Sequence, residues 1–228
     1  MVSLYDRILV GITGSKEDDW KSKLEEIRRF KIYEAALFLE KFTRPQRQKI
    51  YKALLASDIR KIPLVHIRND MEKGELDFLA ENFNPPYFTI HESSFRILGK
   101  WKGFYKQLFL EMNADNRIPK PVDVSKVGGF CVDLSHFKKS EVSKTREFYY
   151  ITRRNDVSRY FACNHLNGYS YGRNADMHFV EGLKDFAYLK TLPKFLFGKV
   201  IALETDNSIS EQLKFKRHLE DLLSPLLG

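Results

Sequence analysis

Histidine and carboxylate side chains follow short apolar segments at several places in this sequence. The densest group comes after the apolar run at residues 160–163, where His165 is followed by Asp176 and His178. Neutral imidazoles and carboxylates in one short segment are the ligands that Zn²⁺ or a similar divalent ion selects. Six more candidates end or follow other apolar segments: His66, His91, Glu111, Asp133, His136 and Glu204. These residue types indicate a metal centre.

A structural role competes with metal binding at each of these residues. A single histidine after an apolar strand is more often hydrogen-bonded within the fold than bound to a metal, and a buried carboxylate can pair with arginine. Five of the six histidines nevertheless follow such segments, the exception being His218 in the C-terminal segment, where we expect a surface or packing role. The set as a whole favours a metal site, although a structural role stays open for any single member.

The elements that position these residues are predicted from the alternation of apolar and amphipathic segments. Eight short apolar segments are expected to be strands: residues 7–13, 35–39, 62–66, 87–91, 108–111, 129–133, 160–165 and 199–204. Helical spacing is expected over residues 16–31, 46–55, 72–83, 139–154, 179–192 and 209–227. The connections after the fourth and fifth strands look too short for full helices.

Eight strand and helix units of about 28 residues each fit a single α/β domain over residues 1–228, folded as a (β/α)₈ TIM barrel. A doubly wound open sheet is the rival architecture. In a barrel the active site lies at the C-terminal ends of the strands, so all nine candidate ligands would share one rim. Cys131 and Cys163 each precede a candidate ligand by two residues, and strand alternation directs both into the barrel interior. We expect them to fill the layer beneath the metals rather than to bind a metal as thiolates.

Composition limits the partners and the compartment. The net charge is +8 and the basic residues are spread along the chain, which favours a polyanionic partner such as nucleic acid. No run of about 18 apolar residues predicts a membrane span, and the N-terminus lacks a signal-peptide pattern. Two cysteines form no disulfide framework, so we expect a reducing, cytoplasmic setting. We also expect a monomer.

Several motifs resemble those of the endonuclease IV family of apurinic/apyrimidinic endonucleases, within the xylose-isomerase-like barrels. Residues 131–136, Cys-Val-Asp-Leu-Ser-His, resemble the family's Cys-x-Asp-x-x-His motif. His-Leu-Asn at 165–167, Asp-Met-His at 176–178 and Glu-Gly at 181–182 resemble its His-Leu-Asn…Asp-x-His…Glu-Gly run. Leu-Glu-Thr-Asp-Asn at 203–207 resembles its Leu-Glu-Thr-x-Asn motif, and His-Glu-Ser-Ser at 91–94 resembles the segment around its second histidine.

This resemblance implies a three-zinc site, with manganese an option at some positions, that cleaves double-stranded DNA 5′ to abasic sites in base excision repair. It implies that His66 and His91 hold the first ion, which Glu111 bridges to the second as the central catalytic residue. The resemblance assigns the remaining ligands as follows: Asp133, His165 and Glu204 to the second ion, and His136, Asp176 and His178 to the third.

The sequence departs from the family pattern in the segments that contact DNA. Asn69 stands where the family usually has a tyrosine three residues after its first histidine. Gln46-Arg47-Gln48 resembles a DNA-inserting arginine segment, although it lies farther from the strand than in the family. Arg47 and Asn69 are therefore the candidate DNA contacts, and we expect weaker lesion recognition than is usual in the family.

Two other functions fit parts of the pattern. A sugar isomerase or epimerase on the same fold would use a single divalent metal held by four residues: Glu111, Asp133, His165 and Glu204. His66, His91, His136, Asp176 and His178 would then be superfluous. A nucleic-acid-binding protein with a structural metal cluster is the third possibility.

Overall fold

A computed structural model describes residues 3–228, and residues 1 and 2 of the N-terminal segment discussed above lie outside the described part. Its main sheet is parallel, with the order β1-β11-β8-β7-β6-β5-β4-β3-β2. The strands are β1 (Ile8–Leu9), β2 (Gly11–Ile12), β3 (Ala36–Phe38), β4 (Leu64–His66), β5 (Tyr87–His91), β6 (Leu108–Glu111), β7 (Gly129–Asp133), β8 (Phe161–Leu166), β9 (Gly168–Ser170), β10 (Ala175–Met177) and β11 (Val200–Leu203). Strands β9 and β10 form a separate antiparallel hairpin.

The barrel closes through its first strand, which is split in two. Ile8 of β1 pairs with β11, whereas Gly11 of β2 pairs with β3, so one continuous segment joins both edges of the sheet. A Cβ atom at Gly11 would lie 1.9 Å from the Leu203 carbonyl oxygen, which explains the glycine at this seam. The predicted strand at 7–13 is therefore two short pieces, and the predicted TIM-barrel fold class is confirmed.

Helices surround the sheet. The α-helices are α1 (Leu4–Arg7), α2 (Glu17–Arg29), α3 (Arg44–Leu55), α4 (Lys73–Phe83), α5 (Leu134–Ser143), α6 (Arg146–Thr152) and α7 (Ile209–Leu227). The 3₁₀ helices are Glu92–Trp101, Val124–Lys126, Ser158–Tyr160, Leu183–Thr191 and Lys194–Leu196. Helix α3 begins after Thr43 with a proline in its first turn, and Ser208 and Glu211 form a capping box at α7.

Several connections differ from the sequence-based expectation. The predicted helix at 139–154 is two helices, because Lys144 ends α5 in a left-handed conformation with φ of 51°. The predicted helix at 179–192 is the 3₁₀ helix Leu183–Thr191, and the predicted loop around Asp176 contains the β9–β10 hairpin. The fourth and fifth barrel strands, here β5 and β6, are followed by 3₁₀ helices rather than α-helices, as their short connections predicted.

The apolar core has two parts. The larger part lies between the sheet and the helices, and a smaller one fills the barrel interior. Cys131 and Cys163 are fully buried in this smaller cluster beside Phe38 and Phe109, which confirms their predicted interior position. Among the described residues, no helix is long and apolar enough to cross a membrane.

Candidate metal centre

Parallel strands bring the candidate ligands to one rim of the barrel. His66, His91, Glu111 and Asp133 are each the last residue of their strand, and Glu204 directly follows β11. The register places neighbouring strand ends side by side, since His91 pairs with Glu111 and Asp133 pairs with His165. Strand alternation and register thus place six of the nine candidate ligands on this rim.

Glu111 occupies the middle of this group. One carboxylate oxygen, Oε2, lies 3.1 Å from His165 Nδ1 and 3.6 Å from His66 Nε2. The other, Oε1, lies 3.7 Å from His136 Nδ1. His66, His91 and Glu111 each offer an atom within 4.8 Å of the others, and Glu111 also belongs to a second group of this kind. Glu111 is therefore shared between two possible ion positions.

The second group consists of four buried residues: Glu111, Asp133, His165 and Glu204. His165 Nδ1 lies 3.3 Å from Glu204 Oε2, and its Nε2 lies 3.2 Å from the Thr89 hydroxyl. Asp133 accepts a hydrogen bond from the Asn167 amide at 2.8 Å. Such hydrogen bonds from outside the ligand set fix the orientation of a ligand before an ion binds.

The remaining three candidates lie at the outer, more open edge. Asp176 on β10 places Oδ2 3.9 Å from His136 Nε2 and 3.4 Å from His178 Nε2. His178 Nδ1 lies 3.2 Å from the Glu204 carbonyl oxygen, which leaves Nε2 directed at Asp176. These three side chains are 19–32% exposed, whereas those of Glu111 and His165 are 2% and 0% exposed.

The donor atoms fit bound cations. Seven buried ring nitrogens and carboxylate oxygens of the nine candidate ligands have no hydrogen-bond partner among the described residues: both nitrogens of His66, Nδ1 of His91, His136 and His165, and Oε2 of Glu111 and Glu204. Buried polar atoms normally have hydrogen-bond partners. This many unpartnered atoms that face one another therefore indicate a site for bound cations. A mixture of imidazole nitrogen and carboxylate oxygen suits zinc.

The carboxylates and imidazoles of the rim shift one another's pKa values. Burial alone would raise the pKa of Glu111, but the imidazoles of His165, His91 and His66 outweigh burial and hold that pKa well below its usual range. Burial would lower the pKa of His165, but the Glu111 and Glu204 carboxylates raise it well above its usual value. Burial, with the Glu111 and Glu204 charges, raises the pKa of Asp133.

Glu40 is a rim residue that the sequence analysis missed. Its Oε2 lies 3.6 Å from His66 Nδ1 and has no hydrogen-bond partner among the described residues. Burial, followed by the nearby Glu204 charge, raises the pKa of Glu40. The signal was available, because Glu40 directly follows the predicted strand at 35–39, as other rim residues follow theirs.

A cleft of about 530 Å³ opens beside the rim. It is lined by Glu40, Lys41, Ile67, Arg68, Asn69, His91, Ser93 and Ser94. Asn69 is exposed there, and its backbone carbonyl accepts a hydrogen bond from Lys100 at 3.3 Å. Its assignment as a DNA contact stays a prediction.

Arg47 requires a correction. Its side chain is 0% exposed, and Nε and Nη2 each donate to the Glu75 carboxylate at 2.8 Å. Nη1 donates to the Phe42 carbonyl at 2.9 Å and to Asp70 at 3.0 Å. This guanidinium is engaged inside the protein, so the prediction that Arg47 contacts DNA is wrong.

His218 lies away from the metal rim. It is half-buried on α7 and belongs to none of the candidate ion-binding groups of the described residues. The expected surface or packing role for His218 agrees with this position.

Comparison with known proteins identifies the fold. No family model matches this sequence, and no curated protein matches it. The crystal structure of a D-tagatose 3-epimerase-like protein superposes with a TM-score of 0.59 at 12% identity, covering 96% of this chain and 98% of that chain. At this identity the likeness concerns the fold alone, and this chain shares the barrel fold of that protein. Membership of the endonuclease IV family is not confirmed.

Proposed function

We propose that this protein is a zinc-dependent phosphodiesterase that cleaves double-stranded DNA 5′ to abasic sites. The observation that carries the proposal is the overlap of candidate ion-binding groups at Glu111, which is shared between two of them, as are His66, His165 and Glu204. Ligands shared in this way place candidate ion positions next to one another, as in sites where two metal ions act together. The outer residues His136, Asp176 and His178 would hold a third ion, since Asp176 Oδ2 lies 3.9 Å from His136 Nε2 and 3.4 Å from His178 Nε2.

Bound divalent ions would lower the pKa of a water molecule and neutralise charge on a phosphate during in-line attack. The protein's contribution is to hold the ligands in place. Thr89 binds the far side of the His165 ring, which directs Nδ1 toward Glu111 and Glu204. The Glu204 carbonyl does the same for His178, which leaves Nε2 free to face Asp176. Fixed ligands of this kind keep the ion positions constant between substrate and transition state.

The DNA contacts follow from charge and exposure. The chain carries a net charge of +8, and Lys41, Arg68 and Asn69 line the cleft beside His91. Turning a nucleotide out of the stack costs a few kcal/mol, least where the base is already missing, so abasic DNA would be preferred. With Arg47 engaged inside the fold and Asn69 in place of an aromatic residue, the protein offsets less of this cost. We therefore propose poorer discrimination between abasic and intact DNA than is usual in the endonuclease IV family.

A sugar isomerase or epimerase with one divalent ion is the second candidate function. The structural comparison supports this class better than the phosphodiesterase, because the similar structure is named as D-tagatose 3-epimerase-like. The four-residue group of Glu111, Asp133, His165 and Glu204 is complete and buried, as a single-ion site would need. This candidate gives no role to the outer residues Asp176 and His178.

Asp176→Asn separates the two candidates, because Asp176 faces the outer imidazoles and is absent from the four-residue group. The assay is gel-resolved cleavage of matched abasic and intact duplexes by zinc-restored protein, alongside epimerisation of a ketohexose. The phosphodiesterase should hold about three ions and lose most abasic cleavage in this variant. One ion per chain, no abasic cleavage and sugar turnover that survives Asp176→Asn would instead support the epimerase.

A further inference from the structure

A second group of carboxylates lies beside the histidine-rich rim. Glu92, Asp115 and Glu147 each offer an oxygen within 4.8 Å of the other two. Glu92 begins the 3₁₀ helix after β5, Asp115 lies in the connection after β6, and Glu147 lies in the first turn of α6. Three separate elements therefore converge on one point.

Two of these carboxylates are buried, and only one oxygen of each has a hydrogen-bond partner. Glu92 is 2% exposed and Glu147 is 0% exposed. One oxygen of Glu92 accepts the Asn113 amide at 2.8 Å, and one of Glu147 accepts the Arg117 amide at 2.7 Å. The other oxygens, Glu92 Oε1 and Glu147 Oε2, have no hydrogen-bond partner in the described part of the chain. Each side chain is thus fixed by backbone and has one oxygen free for a ligand.

The group has no cationic partner within the protein. Between residues 3 and 228, no lysine, arginine or histidine forms an ion pair with Glu92, Asp115 or Glu147. Burying a carboxylate without a counter-charge is costly, and coordination of a metal ion is one of the few arrangements that removes the cost. A divalent cation would balance the negative charge that these three carboxylates can carry.

We propose that Glu92, Asp115 and Glu147 bind one hard divalent cation of the Ca²⁺, Mn²⁺ or Mg²⁺ type, separate from the histidine-rich rim. All of the available donors are oxygens, and neither imidazole nor thiolate takes part, which disfavours zinc. Asp115 is exposed, so water can complete the coordination from that side. The site is independent of the proposed phosphodiesterase activity.

The cation would stabilise the connection between β6 and β7. This connection has one short 3₁₀ helix, Val124–Lys126, and starts directly after Glu111. Asn113 and Arg117, which flank Asp115, already donate to the two buried glutamates. A bound ion would tie this segment to α6 and to the residue after His91, and so hold it against the rim.

Calcium and manganese titration of the full-length protein as purified tests the proposal, with binding followed by calorimetry and by thermal unfolding. One ion should bind per chain, and Tm should rise by roughly 5–10 °C at about 100 times Kd. Asp115→Asn should weaken binding at least about tenfold, because one of three charged ligands is lost. Asp156→Asn, an exposed aspartate outside the group, is the matched control and should leave affinity unchanged.

Two results would overturn the proposal. One is the absence of both binding heat and a Tm shift with Ca²⁺, Mn²⁺ and Mg²⁺. The other is an Asp115→Asn variant that binds these cations as tightly as the unaltered protein does. Glu147→Gln provides a second test, because it removes a buried charge. If the glutamates are instead held neutral by protons, this variant keeps its stability in chelator and the unaltered protein shows no response to cations.

Discussion

Replacing Arg47 with methionine should destabilise the fold rather than remove a DNA contact. The guanidinium is fully buried and makes two hydrogen bonds to Glu75, both at 2.8 Å. Its bond to Asp70 adds little, because the Asp70 side chain is 45% exposed. Methionine would leave the Glu75 carboxylate buried with only the Tyr51 hydroxyl, at 2.9 Å, as a side-chain partner.

Removing one partner of a buried ion pair costs about 3–5 kcal/mol. A chain of this size loses about 2–4 °C of Tm per kcal/mol, so Arg47→Met should lower Tm by roughly 6–20 °C. Arg44→Met is the matched control, since Arg44 is exposed at the start of the same helix, and should change stability by less than about 0.5 kcal/mol. Chemical denaturation of both variants measures the difference.

The double variant Arg47→Met with Glu75→Gln completes the test. It removes both charges, so it should be less destabilised than the sum of the single variants, by about 1–3 kcal/mol. DNA affinity per folded molecule should stay unchanged in all of them. An Arg47→Met protein with unaltered Tm and weakened DNA binding would refute the structural role and restore the original prediction.

Three further outcomes are expected. Glu111→Gln should reduce the rate of abasic cleavage by several orders of magnitude and lower the zinc content, whereas His218→Ala should change neither. Kinetics and elemental analysis measure the two effects, and equal losses in both variants would mean that the site is misplaced. Burial lowers the pKa of Lys23 from 10.5 to about 8, so the unfolded chain holds the extra proton between these values. The free energy of unfolding should therefore rise with pH there by up to about 3 kcal/mol, and Lys23→Met should abolish that rise in denaturation at each pH. DNA affinity should fall about 10³-fold between about 50 and 200 mM salt in a binding titration, and a flat response would exclude phosphate contacts as its source.

Much of the fold and the rim was predictable because both depend on local patterns. Apolar segments of strand length marked the barrel strands, and parallel strands must present their C-terminal ends on one side. His66, His91, Glu111 and Asp133 each end a strand in the structure, as their sequence positions predicted. Whether they bind ions together stays a prediction.

Other features depend on contacts between distant residues, which local patterns do not contain. Whether Arg47 faces DNA or the interior is decided by Glu75, 28 residues away. The break at Lys144 has no glycine or asparagine to mark it, although the residue adopts a left-handed conformation. The β9–β10 hairpin is set by pairing between residues such as Tyr169 and Asp176, in a segment rich in polar residues.

The β9–β10 hairpin separates one outer candidate ligand from the inner part of the histidine-rich rim. The ten residues from Gly168 to Met177 form a sheet of their own, apart from the barrel, and supply Asp176 to the outer edge. The four-residue group of the inner rim takes nothing from this segment. Changes in this one short hairpin would therefore add or remove Asp176 while the barrel, the inner group and His136 on α5 stay intact. Divergence between single-ion and multiple-ion enzymes on a common barrel would then require few mutational steps.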